Sequence, residues 1–527
     1  VFSIQPCYYL CILMHVRSML SHSRLGHNMF GIGTYPSQPA PYAAPLAFCL
    51  ILLWHLTFHP TVMAFANSNS NPAAAAAPPS PSSLLSNKHV CISGGGPCGL
   101  FLATLLLRQD PTVRITILER SQRAGKGGDI NAFGIGLGAR LLHSLDAVPG
   151  LRGEVESVSA GPTPRGLRIV SRSDLSERMT CFLEGMDGNN GRCRIRFGEG
   201  CDGIDLEDKH VTTTAGRKIQ YDLLIGADGI NSSVRRALVD RRGLREVHYL
   251  EPSNWKSLQL PPQPEFDAKS IRPRHPRYTI ALLPRYPEGH ILLIFWGGKE
   301  KGGTSNNPGN LNTPVELKSM LSDAFQDEKS DMAYGDKEGT SDDVARRRRN
   351  VVFDDNAVNI FLKTRPGRSH YMKINRFDDD SVALIGDAAH GMNSLLGQGC
   401  AAGLKYAEVL AEELCGPGSL SESKHLNDAL RSYSKRAVRG AHAIIDLNRM
   451  GATMVTAGPV LKALLVPIMM LQKIFQRKSI FEQIMKVDVP YEDILRDNLL
   501  LLPLAKLKWV FDRVPFRAKP KEPNVVS

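Results

Sequence analysis

Short apolar runs that end at glycines recur along the chain and predict buried strands that lead into tight turns. The run His89–Ser93 enters Gly94, an apolar helical stretch follows, and a second run, Arg114–Leu118, closes on Glu119. Runs of this length bounded by turn residues are typical of buried strands, whereas the longer stretch between them has the length of a helix. The pattern therefore predicts a strand–turn–helix–strand unit of an α/β fold.

The same kind of run occurs twice more. Leu224–Ile225 leads into an Asp-Gly turn at Asp228 and Gly229, and Val382–Ile385 leads into Gly386 and Asp387. We also predict a glycine-rich loop entering a helix over Gly127–Leu145, strands at Cys193–Phe197, Lys218–Ile225, Tyr278–Pro284 and Ile291–Trp296, a helix at Cys400–Leu414, and helices over Leu426–Ser527.

The first unit carries the G-x-G-x-x-G spacing of a dinucleotide site, with Glu119 about twenty residues past the last glycine. Gly94 allows the tight turn, Gly96 lets the backbone approach a pyrophosphate, and Gly99 allows close helix–strand packing. The helix N-terminus offers free N–H groups and a positive dipole end to the phosphates. Glu119 is placed to accept hydrogen bonds from a ribose hydroxyl.

Composition narrows the function only slightly. The chain has 527 residues, 43% of them hydrophobic and 22% charged, with a formal net charge of +12. The one compact basic cluster, Arg346–Arg349, follows an acidic stretch and is predicted to be a solvated loop, so we expect no nucleic-acid partner. The ten cysteines show no C-x-x-C pair and no zinc spacing, so we predict reduced thiols and no metal.

The N-terminal region reads as a presequence over residues 1–87. An apolar run at Ala43–Phe58 has signal-peptide length and is followed by Ala64–Ala66, which together suggest a signal-like segment at 43–66. Residues 67–87 are a low-complexity linker without charge. The region resembles the two-part plastid presequences of algae with complex plastids. We therefore expect targeting to a plastid or another endomembrane compartment, or membrane association; an N-terminal anchor and an over-extended reading frame stay open.

The three glycine turns together resemble the class A flavoprotein monooxygenases of the p-hydroxybenzoate hydroxylase fold, and within them the kynurenine 3-monooxygenase-like proteins. The similar pieces include Asp129–Asn131, Val170–Leu175, Trp255–Leu258 and Tyr433–Arg436. The resemblance implies an α/β protein with a Rossmann-type FAD-binding domain interleaved with a β-sheet substrate domain, plus C-terminal helices. It also implies FAD, with NADPH or NADH as electron donor. The FAD-contacting residues that it implies are Gly94, Gly96, Gly99, Glu119, Arg120, Arg172, Asp228, Gly229, Gly386, Asp387, Gly397 and Gly399.

That resemblance implies further that Asp228–Arg235 serve both FAD and the nicotinamide donor, and that the flavin drives the reaction, with the catalytic side chains left unknown. The reaction would hydroxylate a small aromatic substrate with O₂ through a flavin C4a-hydroperoxide, with the flavin carrying the chemistry. His390 is expected to be structural. Arg272, Arg274 and Arg277 either bind an anionic substrate or are exposed charges. The C-terminal helices are expected to pack in the core or to make peripheral membrane contact.

The chain departs from the family pattern near the third turn. Ser394 stands where the family has proline, Ala401 where it has asparagine, and Lys405–Tyr406 where it has a Glu-Asp pair. Two alternatives therefore stay open: an epoxidase or reductase of the same fold acting on a lipid or isoprenoid, and a non-catalytic flavoprotein. The expected domains are 88–245 and 361–420 for FAD, 246–360 for the substrate sheet with an insertion at 327–350, and 421–527 for the C-terminal helices.

Overall fold

The computed structural model describes residues 83–123, 133–163, 166–188, 190–263, 278–297, 308, 311–326, 352–416, 425–456, 466–467, 470 and 478–501. Most of the predicted presequence, Asp129–Asn131, the arginines at 272, 274 and 277, and the insertion at 327–350 lie outside the described residues.

The described strands are β1 His89–Ser93, β2 Arg114–Glu119, β3 Gly134–Leu137, β4 Arg168–Ser171, β5 Cys193–Phe197, β6 Cys201–Asp205, β7 His210–Thr213, β8 Lys218–Gln220, β9 Leu223–Gly226, β10 Glu246–Leu260, β11 Tyr278–Pro284, β12 His290–Gly297, β13 Gly367–Ile374, β14 Asp378–Asp379 and β15 Val382–Leu384. The described helices are α1 Pro97–Gln109, α2 Ala139–Asp146, α3 Leu151–Ser157, α4 Arg172–Asp187, α5 Ser233–Arg242, α6 Pro314–Gln326, α7 Asp355–Lys363, α8 Asp387–His390, α9 Gly399–Cys415, α10 Leu426–Thr456, α11 Ile480–Ile484 and α12 Tyr491–Asp497.

A six-stranded sheet in the order β14-β15-β9-β1-β2-β5 forms the centre of the part expected to bind FAD. Its inner strands run parallel, with β1 between β2 and β9. Val90, Cys91 and Ile92 are fully buried because helices cover both faces of a parallel sheet, which explains the continuous apolar runs in the sequence. Helix α1 is buried along most of its length for the same reason. The α/β architecture with C-terminal helices is confirmed.

An antiparallel sheet in the order β11-β12-β10-β13 forms the substrate part. Side chains alternate between its two faces. One face carries Leu258 and Ile280 and is buried against α6 and α7 in an apolar core of its own. The other face carries Trp255, which packs on Gly367 of β13. The expected boundary at residue 360 falls before β13, so this sheet continues past it.

Two predicted elements differ in the structure. The predicted strand Lys218–Ile225 is two strands in different sheets, because Tyr221 and Asp222 turn the chain between them. Asp222 fixes this turn, since its carboxylate accepts the backbone N–H of His89 at 2.7 Å. The predicted loop Gly127–Leu145 contains β3, which pairs with β4 before the helix begins at Ala139.

The folded protein begins earlier than predicted. Leu85 belongs to the predicted linker 67–87, yet it is fully buried in the main core. The N–H of Leu84 donates to the carbonyl of Leu414 at 3.2 Å, and Ser83 bonds to the Asp110 carboxylate. The pair Leu84–Leu85 is the apolar signal that separates these residues from the polar stretch before them.

The C-terminal helices close one side of the fold. The long helix α10 packs on α9 and on α12, and its apolar positions join the main core. Within the described part of the chain, no helix combines the length and the apolar character needed to cross a bilayer.

Candidate functional site

The glycine turn after β1 is shaped by contacts that leave no room for side chains. Gly94 has a φ of +113°, and a Cβ built on it would overlap the carbonyl oxygen of Ala227 at the end of β9. A Cβ on Gly99 would overlap the carbonyl oxygen of Gly94. Helix α1 is therefore drawn tightly against the turn, with the free N–H groups of its first turn available to an anion.

Glu119 lies at this turn, as the motif predicts. Its Oε2 accepts the N–H of Gly95 at 2.9 Å, and its Oε1 accepts the N–H of Ser121 at 2.8 Å. Each carboxylate oxygen has a second lone pair that can accept a ribose hydroxyl. Arg120, the next residue, is exposed and lies beside Gly200.

Arg172 reaches the same turn from helix α4. Its backbone N–H donates to the carbonyl of Phe133 at 3.0 Å, while the Ser171 hydroxyl caps the helix by accepting the N–H of Asp174 at 3.0 Å. Its guanidinium nitrogen Nη2 lies 3.6 Å from the position a Cβ on Gly96 would occupy. The exposed guanidinium is thus held where the pyrophosphate of a dinucleotide would approach the backbone.

The third turn places Asp387 opposite Arg172. Gly386 has a φ of +58°, which only glycine adopts readily, and Asp387 starts the short helix α8. The Asp387 side chain is accessible at the surface and yet surrounded by protein on most sides, so it lines a concave wall. Burial raises the pKa of its carboxyl group, while the charges of Arg172 and Arg235 act in the opposite direction.

The second turn leaves an acceptor free. Asp228 Oδ2 accepts the N–H groups of Ser233 at 2.7 Å and Val234 at 3.3 Å, which fixes the start of α5. Asp228 Oδ1 is enclosed and has no hydrogen-bond partner among the described residues. An enclosed acceptor of this kind usually has a partner. The site therefore fits a ligand or water that supplies a donor.

Arg235 is committed to protein contacts rather than to a ligand. It is 5% exposed, and its guanidinium donates to Glu246 Oε2 at 2.8 Å, to the carbonyl of Ala388 at 3.1 Å and to the carbonyl of Ile230 at 2.6 Å. It joins the second turn to α8 and to β10. The pKa of Glu246 is lowered to about 2 by a hydrogen bond from His248 and by the positive charges of His248 and Arg235. Arg235, the last residue of the predicted ligand-binding segment Asp228–Arg235, thus connects protein elements to one another.

The departures from the family pattern are accommodated. Ser394 is exposed and its carbonyl accepts the N–H of Gly397 at 3.0 Å, so serine closes the turn that a proline would stiffen. Ala401 is buried inside α9. Lys405 is exposed and pairs with Glu408 at 3.2 Å. Tyr406 is buried; it lies over the backbone of Gly440, where a Cβ would overlap its hydroxyl.

His390 is enclosed beneath the third turn. It is 0% exposed, and its ring packs against Phe377 and edge-on against Tyr406. Burial lowers the pKa of its imidazole to about 4. A neutral, buried ring at this place suits packing, as the sequence suggests. Gly397 lies in the loop between α8 and α9 with a φ of +65°, and Gly399 begins helix α9.

An aromatic pair lies on the face of the antiparallel sheet opposite the one that packs on α6 and α7. Trp255 of β10 and Phe133 meet edge to face, with centroids 6.2 Å apart. Both rings are half-buried, and Phe133 is the residue whose carbonyl holds Arg172. Leu283 and Ile291 of the same sheet face lie over Gly134 of β3. These side chains form an apolar wall next to the glycine turn.

Tyr371, Asn393 and Asn448 lie close together in the structure but carried no recognisable signal in the sequence. Asn393 Nδ2 donates to the hydroxyl of Tyr371 at 2.7 Å, and Asn448 Nδ2 donates to the carbonyl of Asn393 at 3.0 Å. These bonds join β13, the loop after α8 and helix α10. The three residues lie far apart in the sequence and meet only in the folded chain, so no local motif identifies them.

FAD fits these residues. The crowded turn at Gly94 and Gly99, the cation of Arg172 over Gly96, and the unpartnered oxygen of Asp228 match a ligand with phosphates, hydroxyls and N–H donors. The pyrophosphate would lie at the start of α1 and the ribose at Glu119, as in other dinucleotide sites.

Comparison with known proteins agrees with this geometry. The chain matches the family described as FAD binding domain over residues 178–447, slightly more than half of its length. Kynurenine 3-monooxygenase of Dictyostelium discoideum is 25% identical over 402 residues, covering 69% of this chain and 79% of that protein. The chloroplastic zeaxanthin epoxidase of Oryza sativa subsp. japonica is 25% identical over 408 residues, covering 70% of this chain and 55% of that protein.

Among solved structures, 2-methyl-3-hydroxypyridine-5-carboxylic acid oxygenase has the same fold, with a TM-score of 0.52 and 20% identity, covering 70% of this chain and 91% of that one. The chain therefore belongs to the FAD-binding domain family. Within it, the protein is a class A FAD-dependent monooxygenase, similar to the kynurenine 3-monooxygenases.

Proposed function

We propose that this FAD-dependent monooxygenase uses NADPH or NADH to hydroxylate a small aromatic compound. The observation that carries the proposal is the aromatic pair in the apolar wall. Trp255 and Phe133 come from different parts of the fold, meet edge to face and stay half-buried next to Arg172. Their exposed ring surface suits stacking or edge contact with a planar substrate.

When bound, FAD supplies the redox chemistry by accepting a hydride and activating O₂. The chain's own residues position the components. Arg172, Glu119 and the turn at Gly96 hold the phosphate and ribose groups, while Arg235 locks α8 to β10 so that the two parts keep a fixed spacing. The sheet face with Leu283 and Ile291 keeps water away from the reacting atoms, which limits unproductive release of peroxide.

A second candidate, epoxidation of an isoprenoid, is favoured by the likeness to zeaxanthin epoxidase. The test uses the full chain, purified with FAD and identified by its flavin absorbance. NADPH and NADH oxidation is followed with a panel of aromatic acids, their amides, and isoprenoids in detergent micelles. We expect one aromatic class to accelerate oxidation and to gain one ¹⁸O atom from ¹⁸O₂. Stimulation by isoprenoids alone, or by none of the compounds, would overturn the proposal.

A further inference from the structure

The loop between α8 and α9, residues 391–398, joins two segments that are expected to contact FAD. It follows the short helix of the third glycine turn and ends just before Gly399, which begins α9. Both segments lie against the start of α1. The Sγ of Cys98 is 2.8 Å from the position that a Cβ on Gly386 would occupy, and a Cβ on Gly403 would overlap the same sulfur. The path of this loop therefore affects how the third turn and α9 meet the first glycine turn.

The backbone of this loop has few constraints of its own. It contains Gly391 and Gly397 but no proline, and Ser394 and Leu395 are exposed. Ser394 stands where the proteins that this chain resembles have proline, whose ring fixes φ. An exposed segment of this composition opens readily unless tertiary contacts hold it in one conformation.

Asn393 supplies such contacts from the middle of the loop. Its Nδ2 donates to the hydroxyl of Tyr371 in β13 at 2.7 Å, and its carbonyl accepts a hydrogen bond from Nδ2 of Asn448 in α10 at 3.0 Å. Both partners are buried, so they offer fixed points to the loop. Within the loop, Asn393 Oδ1 accepts the N–H of Leu395 at 3.2 Å. One residue thus connects the loop to a strand, to a helix and to the turn that follows.

The two ends of the loop are held by other residues. The carbonyl of Gly391 accepts the N–H of Met372 in β13 at 2.8 Å. At the far end, Oε1 of the buried Gln398 accepts the hydroxyl of Tyr491 in α12 at 3.0 Å. Because these contacts lie at the ends, the conformation of the exposed centre depends on the side chain of Asn393.

We infer that Asn393 is a positioning residue for the flavin, and that its side chain replaces the constraint that proline provides at position 394 in the related proteins. Its two side-chain hydrogen bonds, at ordinary strength, favour one conformation of the loop by roughly 5- to 30-fold. A ligand that binds only this conformation loses apparent affinity by the same factor when the bonds are removed. The inference rests on FAD binding and is independent of which compound is hydroxylated.

The test follows FAD affinity and loop opening in the full chain carrying N393A, S394P or both substitutions. Titration of the apoprotein with FAD gives the Kd, and hydrogen exchange with mass spectrometry reports on residues 391–398. We expect N393A to weaken FAD binding roughly 5- to 30-fold and to speed exchange in this loop. In the N393A background, S394P should recover most of both losses. Proline keeps the carbonyl that accepts the Gly397 N–H, and among the described residues no acceptor binds the Ser394 N–H that it removes.

N427A is the matched control on helix α10. The Asn427 side chain also makes two hydrogen bonds, donating to Asp380 Oδ1 at 2.7 Å and accepting the N–H of Ser381 at 3.0 Å. Asn427 lies about 30 Å along the helix axis from Asn448, at the rise of an α-helix. N427A should therefore keep the wild-type FAD affinity and the wild-type exchange of the loop.

Y371F serves as the milder variant if N393A does not fold. It removes only the hydroxyl that Asn393 binds, so it should weaken FAD binding roughly fivefold, the loss of one hydrogen bond. S394P should restore this loss as well. Flavin-independent thermal unfolding identifies variants that are misfolded.

Equal FAD affinities in N393A and N427A would overturn the inference, and so would the absence of any recovery by S394P. A lower unfolding temperature of N393A with an unchanged Kd and unchanged loop exchange would also overturn it, because the role of Asn393 would then be structural only. If the variants behave as expected but no aromatic compound stimulates NADPH oxidation, this inference stands and the proposed function falls. If an aromatic compound is hydroxylated and N393A keeps the wild-type FAD affinity, the reverse holds.

Discussion

Arg172 places its guanidinium over the backbone of Gly96, with Nη2 3.6 Å from the position that a Cβ on that glycine would occupy. Arg172 begins helix α4, whereas Gly96 lies in the turn before α1. Their contact creates a cationic surface at the point where phosphates would meet the chain. The pairing explains why Arg172 is exposed although it begins a helix that packs on α1.

The variant R172Q should bind FAD more weakly, by roughly tenfold or more, because charge-assisted hydrogen bonds to phosphate are lost. Titration of the apoprotein with FAD, followed by flavin fluorescence, measures the change. R178Q is the matched control, since Arg178 lies on the same helix and pairs only loosely with Glu154 at 3.6 Å. Equal affinities in the two variants would exclude a role for Arg172 at the phosphates.

Two helical glycines allow a second matched test. Alanine is favoured over glycine in a helix by about 1 kcal/mol. Gly185 in α4 has open space around its Cβ position, so G185A should raise the free energy of unfolding by that order. G99A should instead lower it by about 1–3 kcal/mol and loosen FAD, because its Cβ would overlap the Gly94 carbonyl. Urea unfolding of both variants checks this; a stabilised G99A would contradict the tight turn.

His390 should make stability depend on pH in the mildly acidic range. Its pKa falls from 6.5 to about 4 on folding, so the unfolded chain binds the proton more readily. The stabilising contribution is present above pH 6.5 and is lost as the pH falls toward 4. In H390F the decrease in the free energy of unfolding that His390 causes on acidification, up to about 3 kcal/mol, should disappear. Unfolding measured across this range in wild type, H390F and the exposed-site control H143F tests it; parallel curves would refute it.

Glu246 should make the stability of the fold depend on pH in a more acidic range than His390 does. Its pKa falls from 4.5 to about 2, so its contribution is present above pH 4.5 and is lost as the pH falls toward 2. E246Q should be less stable than wild type at neutral pH, because Arg235 loses its carboxylate partner, and should show a shallower acid limb. E154Q, at an exposed glutamate, serves as the control. An unchanged acid limb in E246Q would show that neither His248 nor Arg235 lowers the pKa of Glu246 in the folded protein.

The FAD-binding elements were predictable because their chemistry is local. Gly94, Gly96, Gly99 and Glu119 lie within one strand–turn–helix–strand unit, and short-range sterics and helix dipoles dictate their types. The strands at Cys193–Phe197 and Tyr278–Pro284 were predicted with the bounds that the structure has, since β-branched and apolar residues there alternate or run together between turns.

The contact between helix α10 and the antiparallel sheet was not predictable in the same way. Arg449 and Tyr249 are about two hundred residues apart and meet only because β10 pairs with β13 and α10 returns along that face. Arg235 had the sequence context of a ligand-binding residue, but tertiary packing gives each of its three guanidinium nitrogens a protein acceptor. The break at Tyr221 was hidden because Ile219 and Tyr221 alternate with polar residues as in a strand and lead directly into the apolar run Leu223–Ile225.

The burial of Leu85 sets a limit on maturation of the N-terminus. Any peptidase that trims this region must cut before Ser83 if the product is to keep its core, because loss of a fully buried leucine costs about 2–5 kcal/mol. A chain that begins at Pro78 should therefore unfold at a higher temperature than one that begins at Lys88. If a leader is cut from this chain, we expect its cleavage site to lie upstream of Leu85, whatever compartment the leader addresses.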